Sequence, residues 1–170
     1  MNAIVYTSET GHTKAYAEIL GKKTSLPVYE LGEAKKKLPK GSEIVYLGWL
    51  FASSIKGYKK AAKLYSVSAV VGVGLCPTGE MLTEVRKAVS LPDTTPLFTM
   101  QGGIDHSKLK GINRFMIKML IKMLSKKERT PEEDAMLDLI KRGGYYVNEK
   151  NTSVFMEWYE DSISNMNQKM

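Results

Sequence analysis

The stretch Ala3-Ile-Val-Tyr-Thr-Ser-Glu-Thr-Gly-His-Thr13 decides the reading of this chain. Ala3 to Thr7 is a short apolar, β-branched run suited to a buried strand. Ser8 to Thr13 is a polar loop, and a helix is predicted from about Lys14 to Gly21. This loop therefore sits between an opening strand and the first helix, which is where ligands bind in open α/β sheets. The hydroxyls of Ser8, Thr10 and Thr13, with backbone N–H groups around Gly11 and His12 at a helix N-terminus, can surround a phosphate without a lysine. The loop is neither a G-x-x-x-x-G-K-[ST] phosphate loop nor the dinucleotide G-x-G-x-x-G. The plainer alternative is that the hydroxyls only cap the helix. His12 is expected to act through its backbone with its side chain toward solvent, and Glu9 to be a solvated loop acid.

Four more apolar runs follow: Val28-Tyr-Glu-Leu31, Glu43 to Gly48, Val67 to Leu75, and Thr95 to Met100. Segments of helical character separate them. Five strands alternating with helices predict an α/β fold, a three-layer sandwich around a parallel sheet. The pattern breaks after Gln101-Gly-Gly103. A basic, apolar helix is predicted from about Leu109 to Ser125. A second begins at Thr130-Pro-Glu-Glu133, where Thr130 is the N-cap, Pro131 opens the helix and Glu133 completes a capping box. Gly143-Gly144 ends it, Tyr145-Tyr-Val147 reads as a short returning strand, and Val154, Phe155, Trp158, Tyr159 and Ile163 mark a final amphipathic helix on the sheet. The chain is thus expected to be one domain, 1–170, with a helical insertion at about 105–144.

Composition narrows the function. With 170 residues, 43% hydrophobic and 25% charged, the chain is long enough for a proper core. One cysteine, Cys76, excludes an internal disulfide framework, and two histidines without a cysteine or acidic cluster argue against a metal site. No window resembles a membrane span, and the N-terminus has no basic region leading into a separate apolar stretch, so a cytoplasmic location is expected. The net charge of +7 is localised: seven of the 25 bases lie between Lys108 and Lys127, which holds no acid, leaving 18 bases against 18 acids elsewhere. A single basic apolar patch points away from nucleic acid and toward a membrane surface or an acidic partner.

The S-x-T-G-x-T pattern after an opening strand resembles the FMN phosphate loop of the flavodoxin-like family. That resemblance implies sheet order 2-1-3-4-5, FMN as cofactor, and Ser8, Glu9, Thr10, Gly11, His12 and Thr13 around its phosphate. Two further loops would hold the flavin ring. Trp49, Leu50, Phe51 and Ala52 follow the third strand, where Trp49 or Phe51 can stack on a ring or can simply pack. Gly74, Leu75 and Cys76 follow the fourth, where small residues permit close approach. Cys76 lacks a second thiol to resolve a disulfide, so it is read as a wall of the site. No side chain stands out as an acid or base catalyst.

Within the family, the phosphate loop and the helix Asn113-Arg-Phe-Met-Ile-Lys-Met-Leu-Ile-Lys-Met-Leu124 resemble the menaquinone-linked protoporphyrinogen IX dehydrogenases; the second loop, Trp49-Leu-Phe-Ala52, differs from theirs. The resemblance implies a small-molecule redox substrate and a quinone or protein electron acceptor. A carrier docking acidic redox partners and a flavin-free binding module are the alternatives. On a helical wheel, Ile112, Phe115, Met116, Met119, Leu120 and Met123 form one face, and Ile117, Ile121 and Leu124 widen it beyond the ~100° that core burial uses. Arg114, Lys118 and Lys122 fill the remainder. Arg114, Phe115, Met116, Lys118, Met119, Lys122 and Met123 are therefore expected to dock against a membrane, as a peripheral contact at its inner face, or against a partner, including a second copy in a homodimer; the alternatives are a hydrophobic groove for a flat ligand, or a helix buried on two sides by the domain and the second insertion helix.

Overall fold

The computed structural model describes residues 1–126 and 128–167; Lys127, counted above in the basic segment, lies outside them. Five parallel strands form the main sheet: β1 (Ala3–Thr7), β2 (Val28–Glu30), β3 (Glu43–Phe51), β5 (Ser66–Gly74) and β6 (Leu97–Gln101), in the order β2-β1-β3-β5-β6. Counted along the chain without the short β4 (Ser54–Ile55), this is the expected order 2-1-3-4-5. β4 pairs antiparallel with the end of β3 through Leu50 opposite Ile55 and Phe51 opposite Ser54.

Strand alternation divides the core between the two faces. Ala3, Val5, Ile44, Tyr46 and Val70 face α2 (Leu31–Lys37), α3 (Tyr58–Ala62) and α4 (Leu82–Val89), which contribute Leu31, Ala34, Ala61, Val85 and Val89. Ile4, Val45, Leu47, Ala69, Val71 and Met100 face α1 (His12–Thr24) and α7 (Ser153–Asn167), through Tyr16, Ala17, Leu20, Phe155 and Tyr159. The result is the flavodoxin-like three-layer sandwich.

Several expected boundaries move for local reasons. α1 starts at His12 rather than Lys14 because Gly11, at φ 100°, takes the left-handed turn that precedes it. Leu31 opens α2 instead of closing β2. On α7, Phe155 and Tyr159 are buried while Val154 is 60% exposed and Ile163 also faces solvent. Residues four apart share a face, and Val154 lies one position out of phase with it.

The excursion after β6 is built as expected at its helices and differently at its base. It contains β7 (Gly103–Ile104), α5 (Gly111–Leu124), α6 (Pro131–Arg142) and β8 (Gly144–Tyr145). The Thr130–Glu133 capping box opens α6, and Gly143, with positive φ, ends it. The returning strand β8 does not join the main sheet; it pairs antiparallel with β7 in a separate two-stranded ribbon.

Two buried phenols fasten this arrangement. On one face, the Tyr16 hydroxyl donates to the Gln101 carbonyl at 2.5 Å and accepts from Asn151 Nδ2 at 2.6 Å. It thereby ties α1 to the end of β6 and to the short 3-10 helix Glu149–Thr152 that precedes α7. On the other, the Tyr46 hydroxyl bridges Thr7 Oγ1 and the Lys56 carbonyl, each at 2.8 Å, and burial pushes its pKa up to about 12. Tyr16→Phe leaves the Gln101 carbonyl and the Asn151 amide short of a partner, so urea unfolding should show a loss of about 1–3 kcal/mol.

Candidate functional site

The carboxyl ends of β1, β3, β5 and β6 converge on one edge of the sheet, where Thr7 pairs with Gly48, Gly48 with Gly72, and Gly74 with Gln101. Above this edge lies a cavity of about 310 Å³, within the range of small-molecule sites, roughly 300–1,000 Å³. Its lining is mostly apolar. Ser8, Glu9, Thr10, His12 and Thr13 form one end, Trp49, Leu50, Phe51 and Ala52 a wall, and Gly74, Leu75 and Cys76 another. Three segments far apart in the chain thus meet around one space. Gly11 does not line it; its N–H donates to Ser8 Oγ at 3.2 Å and shapes the loop from behind.

The polar end fits an anion. α1 has no side-chain cap hydrogen bond and no acid in its first turn, which leaves the partial positive charge of its N-terminus available to an anion. Ser8, Thr10 and Thr13, three hydroxyl residues, line this end. The donor set of hydroxyls and helix N–H groups, opening directly onto an apolar chamber, suits a phosphate attached to a flat apolar body such as FMN.

His12 departs from expectation. Its side chain is only 4% exposed, with Nδ1 2.9 Å from Thr10 Oγ1 and the ring centroid 5.1 Å from that of Tyr145 on β8. Burial, the largest influence, lowers its pKa. The ring is enclosed because the β7–β8 ribbon folds over it, an arrangement formed by residues more than 90 positions away along the chain.

The two ring walls also differ from a simple loop reading. Trp49 to Phe51 continue β3, and the chain reverses at Ala52 and Ser53, both with positive φ (48° and 60°), to form β4. Such a pair matches the twist of a tight hairpin. The Trp49 and Phe51 rings meet edge to face at 6.1 Å, and Lys56 Nζ lies 5.5 Å from the first ring centroid and 5.3 Å from the second. Gly72 to Gly74 belong to β5, so the loop begins at Leu75. A Cβ at Gly72 or Gly74 would come within 3.0 Å of Leu50, which shows that the bare backbone makes room for that side chain. The following loop is fixed by Gln101, whose N–H donates to Thr78 Oγ1 at 3.0 Å and whose Nε2 donates to the Leu75 carbonyl at 3.1 Å.

The roof of the cavity is what the sequence left open. Met116, Ile117, Leu120 and Leu124 from α5, with Met136 and Ile140 from α6, close it from above, and all of these but Met116 pack with Phe51 and Leu75 in a third apolar cluster. Met116, expected on the docking face, instead lines the cavity. The opposite side of α5 is bare: Ile112 is 72%, Phe115 62%, Met119 56% and Met123 62% exposed. Arg114, Lys118 and Lys122 are exposed beside them. The helix therefore has two apolar faces, which accounts for the excess width of its apolar arc. Among the described residues, no helix is long and apolar enough to cross a membrane, and no cluster of three or more His, Cys, Asp or Glu could hold a metal ion.

Cys76 is half-buried, and burial, then the nearby Glu80 carboxylate, push its thiol pKa up. Its thiolate fraction near neutral pH falls accordingly. Alkylation by iodoacetamide at neutral pH should run slower in the folded protein than in urea, and the gap should narrow as the pH rises; equal rates at neutral pH would contradict this environment.

Residues 3–131 match the family model described as flavodoxin domain. The match begins with β1, takes in every segment that lines the sheet edge and the whole of α5, and stops as α6 begins. No curated protein and no solved structure matches the chain. The match covers about three-quarters of the chain, and the strand order and the loop after β1 agree with it, so the chain belongs to the flavodoxin family, whose members bind a flavin and use it in redox chemistry.

Proposed function

We propose that the protein binds FMN and works as an oxidoreductase that takes reducing equivalents from a flat, apolar substrate of the porphyrinogen class and passes them to a quinone at a membrane surface. One observation carries this reading: a hydroxyl-lined, uncapped helix N-terminus and an apolar chamber roofed by α5 and α6 share a single cavity. When bound, the flavin supplies the hydride and electron chemistry. The chain's own work is binding, orientation and exclusion of water. Ser8, Thr10 and Thr13 would hold the phosphate. Trp49 and Phe51 on one side, with Leu75 and Cys76 on the other, would orient the ring. Leu120, Leu124, Met136 and Ile140 would keep water from the reacting face. The substrate class rests on the resemblance of Asn113–Leu124 to the corresponding helix of the protoporphyrinogen IX dehydrogenases.

The exposed cations of α5 would equally serve a one-electron carrier with acidic partners. The roof favours an enzyme. A carrier needs a ring edge within reach of its partner, whereas a covered apolar chamber is what a small substrate requires. The outer stripe of α5 supports the membrane part of the proposal, because an apolar row edged by cations and free of acids complements an anionic lipid surface.

FMN added to the purified protein should bind with quenching of its fluorescence, and Ser8→Ala or Thr13→Val should each weaken binding by roughly tenfold, the loss of about one hydrogen bond to a charged group. The FMN-loaded protein should then oxidise protoporphyrinogen with a menaquinone analogue as acceptor; turnover no faster than that of free FMN would sink the enzyme reading.

Each cation near anionic lipid contributes about 1 kcal/mol, so the double variant Lys118→Glu, Lys122→Glu should lose sedimentation with phosphatidylserine vesicles. Vesicle binding and turnover both unchanged in that variant would make the outer face of α5 a purely structural surface.

A further inference from the structure

The buried His12 ring has a polar neighbour on each side. Nδ1 lies 2.9 Å from Thr10 Oγ1, and Nε2 faces the Gly144 carbonyl of β8. A carbonyl only accepts, so the hydrogen of the neutral ring is assigned to Nε2, toward Gly144. In the neutral ring Nδ1 is then bare, and the hydrogen bond runs from the Thr10 hydroxyl to it. The one hydrogen of Thr10 is thereby committed to the ring, and only lone pairs remain to meet a phosphate oxygen. Protonation of Nδ1 reverses the bond: the ring donates to Thr10 Oγ1, the hydroxyl hydrogen is freed for a phosphate oxygen, and a positive charge stands at the polar end of the cavity.

We infer that His12 and Thr10 form a proton-linked phosphate clamp, in which binding of the phosphate of FMN draws one proton from solvent onto Nδ1 of His12. This rests on the FMN reading above and adds the regulation of that same site. Among the described residues, two charged groups act on the ring. Lys108 and Asp105, on the segment after β7, act on it with opposite signs, and the Tyr145 ring covers it from β8. Burial, aided by Lys108, holds the ring neutral at neutral pH against the pull of the Gly144 carbonyl and Asp105. A dianionic phosphate against Thr10 shifts that balance toward the charged ring, and by linkage the affinity for the phosphate must rise as the pH falls toward the His12 pKa. The phosphate's own second ionisation, at about pH 6, works in the opposite sense and is common to every variant.

The test compares FMN binding by the full chain across the pH range from about 5.5 to 8.5, which spans the ordinary histidine pKa, in the natural protein, His12→Asn and Thr10→Val. An asparagine amide can donate to Thr10 at every pH, and valine removes the hydroxyl. The ratio of natural to variant affinity should change by about tenfold across the range, equivalent to a shift of roughly one pKa unit. In the natural protein, NMR of the His12 ring should show its pKa rising by about that unit when FMN binds. FMN bound with a constant affinity ratio and an unmoved ring pKa overturns the clamp and leaves the FMN site standing. FMN that binds at no pH overturns both. The ring titration needs no variant, so a substitution that fails to fold does not spoil the test.

Discussion

Tyr16 carries the constraint on which the rest of this structure depends. Tyr16 is fully buried, and its hydroxyl joins three segments: the first helix, the end of the last sheet strand, and the chain returning from the excursion. Gln101 and Asn151 are 50 residues apart, and both turn toward this one oxygen. Where they meet, the excursion leaves the sheet and comes back. The N–H of Tyr146 donates to the Gly102 carbonyl at 2.7 Å, one residue beyond Gln101. Tyr46 plays the matching part on the other face, fixing Thr7 at the end of β1 against the backbone beyond β4. Both phenols bond at the carboxyl ends of strands, Gln101 of β6 and Thr7 of β1, so buried hydroxyls hold the sheet edge on which the cavity rests. A site held in this way has its walls set before any ligand arrives.

The cavity combines two kinds of binding surface that rarely arise from one element. The sheet edge supplies backbone and hydroxyl groups in a fixed polar array; the excursion supplies flexible methionine and leucine side chains that can settle on ligands of different shape. Polar recognition is thus assigned to the rigid part and apolar recognition to the adaptable part. α5 takes this division further. Its inner face belongs to the cavity, its outer face to the surroundings, and a single helix thickness separates them.

Much of the layer order was legible in the sequence because it rests on local signals. Five apolar runs spaced by helical segments, and a hydroxyl-rich loop after the first, suffice for a parallel sheet with a site at its edge. The Thr130–Glu133 box was legible for the same reason, being complete within four residues. What escaped depends on partners distant in the chain. The His12 side chain is buried by Gly144 and Tyr145, which no reading of residues 8–13 can supply. Trp49 to Phe51 form strand instead of loop because Val73 of β5 pairs with Trp49, and Ile55 and Ser54 turn back to pair with Leu50 and Phe51. Met116 and Met119 lie three residues apart on the same apolar arc, and only the position of α6 decides that the first lines the cavity while the second meets solvent.

The β7–β8 ribbon gives the excursion a pinched base. Gly103 pairs with Tyr145 and Ile104 with Gly144, so the chain leaves and returns at neighbouring points. With both ends pinned, the sheet is insulated from changes in what lies between them, and each doubling of the loop's length adds only about 0.6 kcal/mol of closure entropy. α5 and α6 are therefore a part that descent can lengthen, trim or rewrite while strand order and register stay as they are. Within such a lineage the roof would diverge much faster than the floor, and two relatives with nearly superimposable sheets could accept quite different substrates.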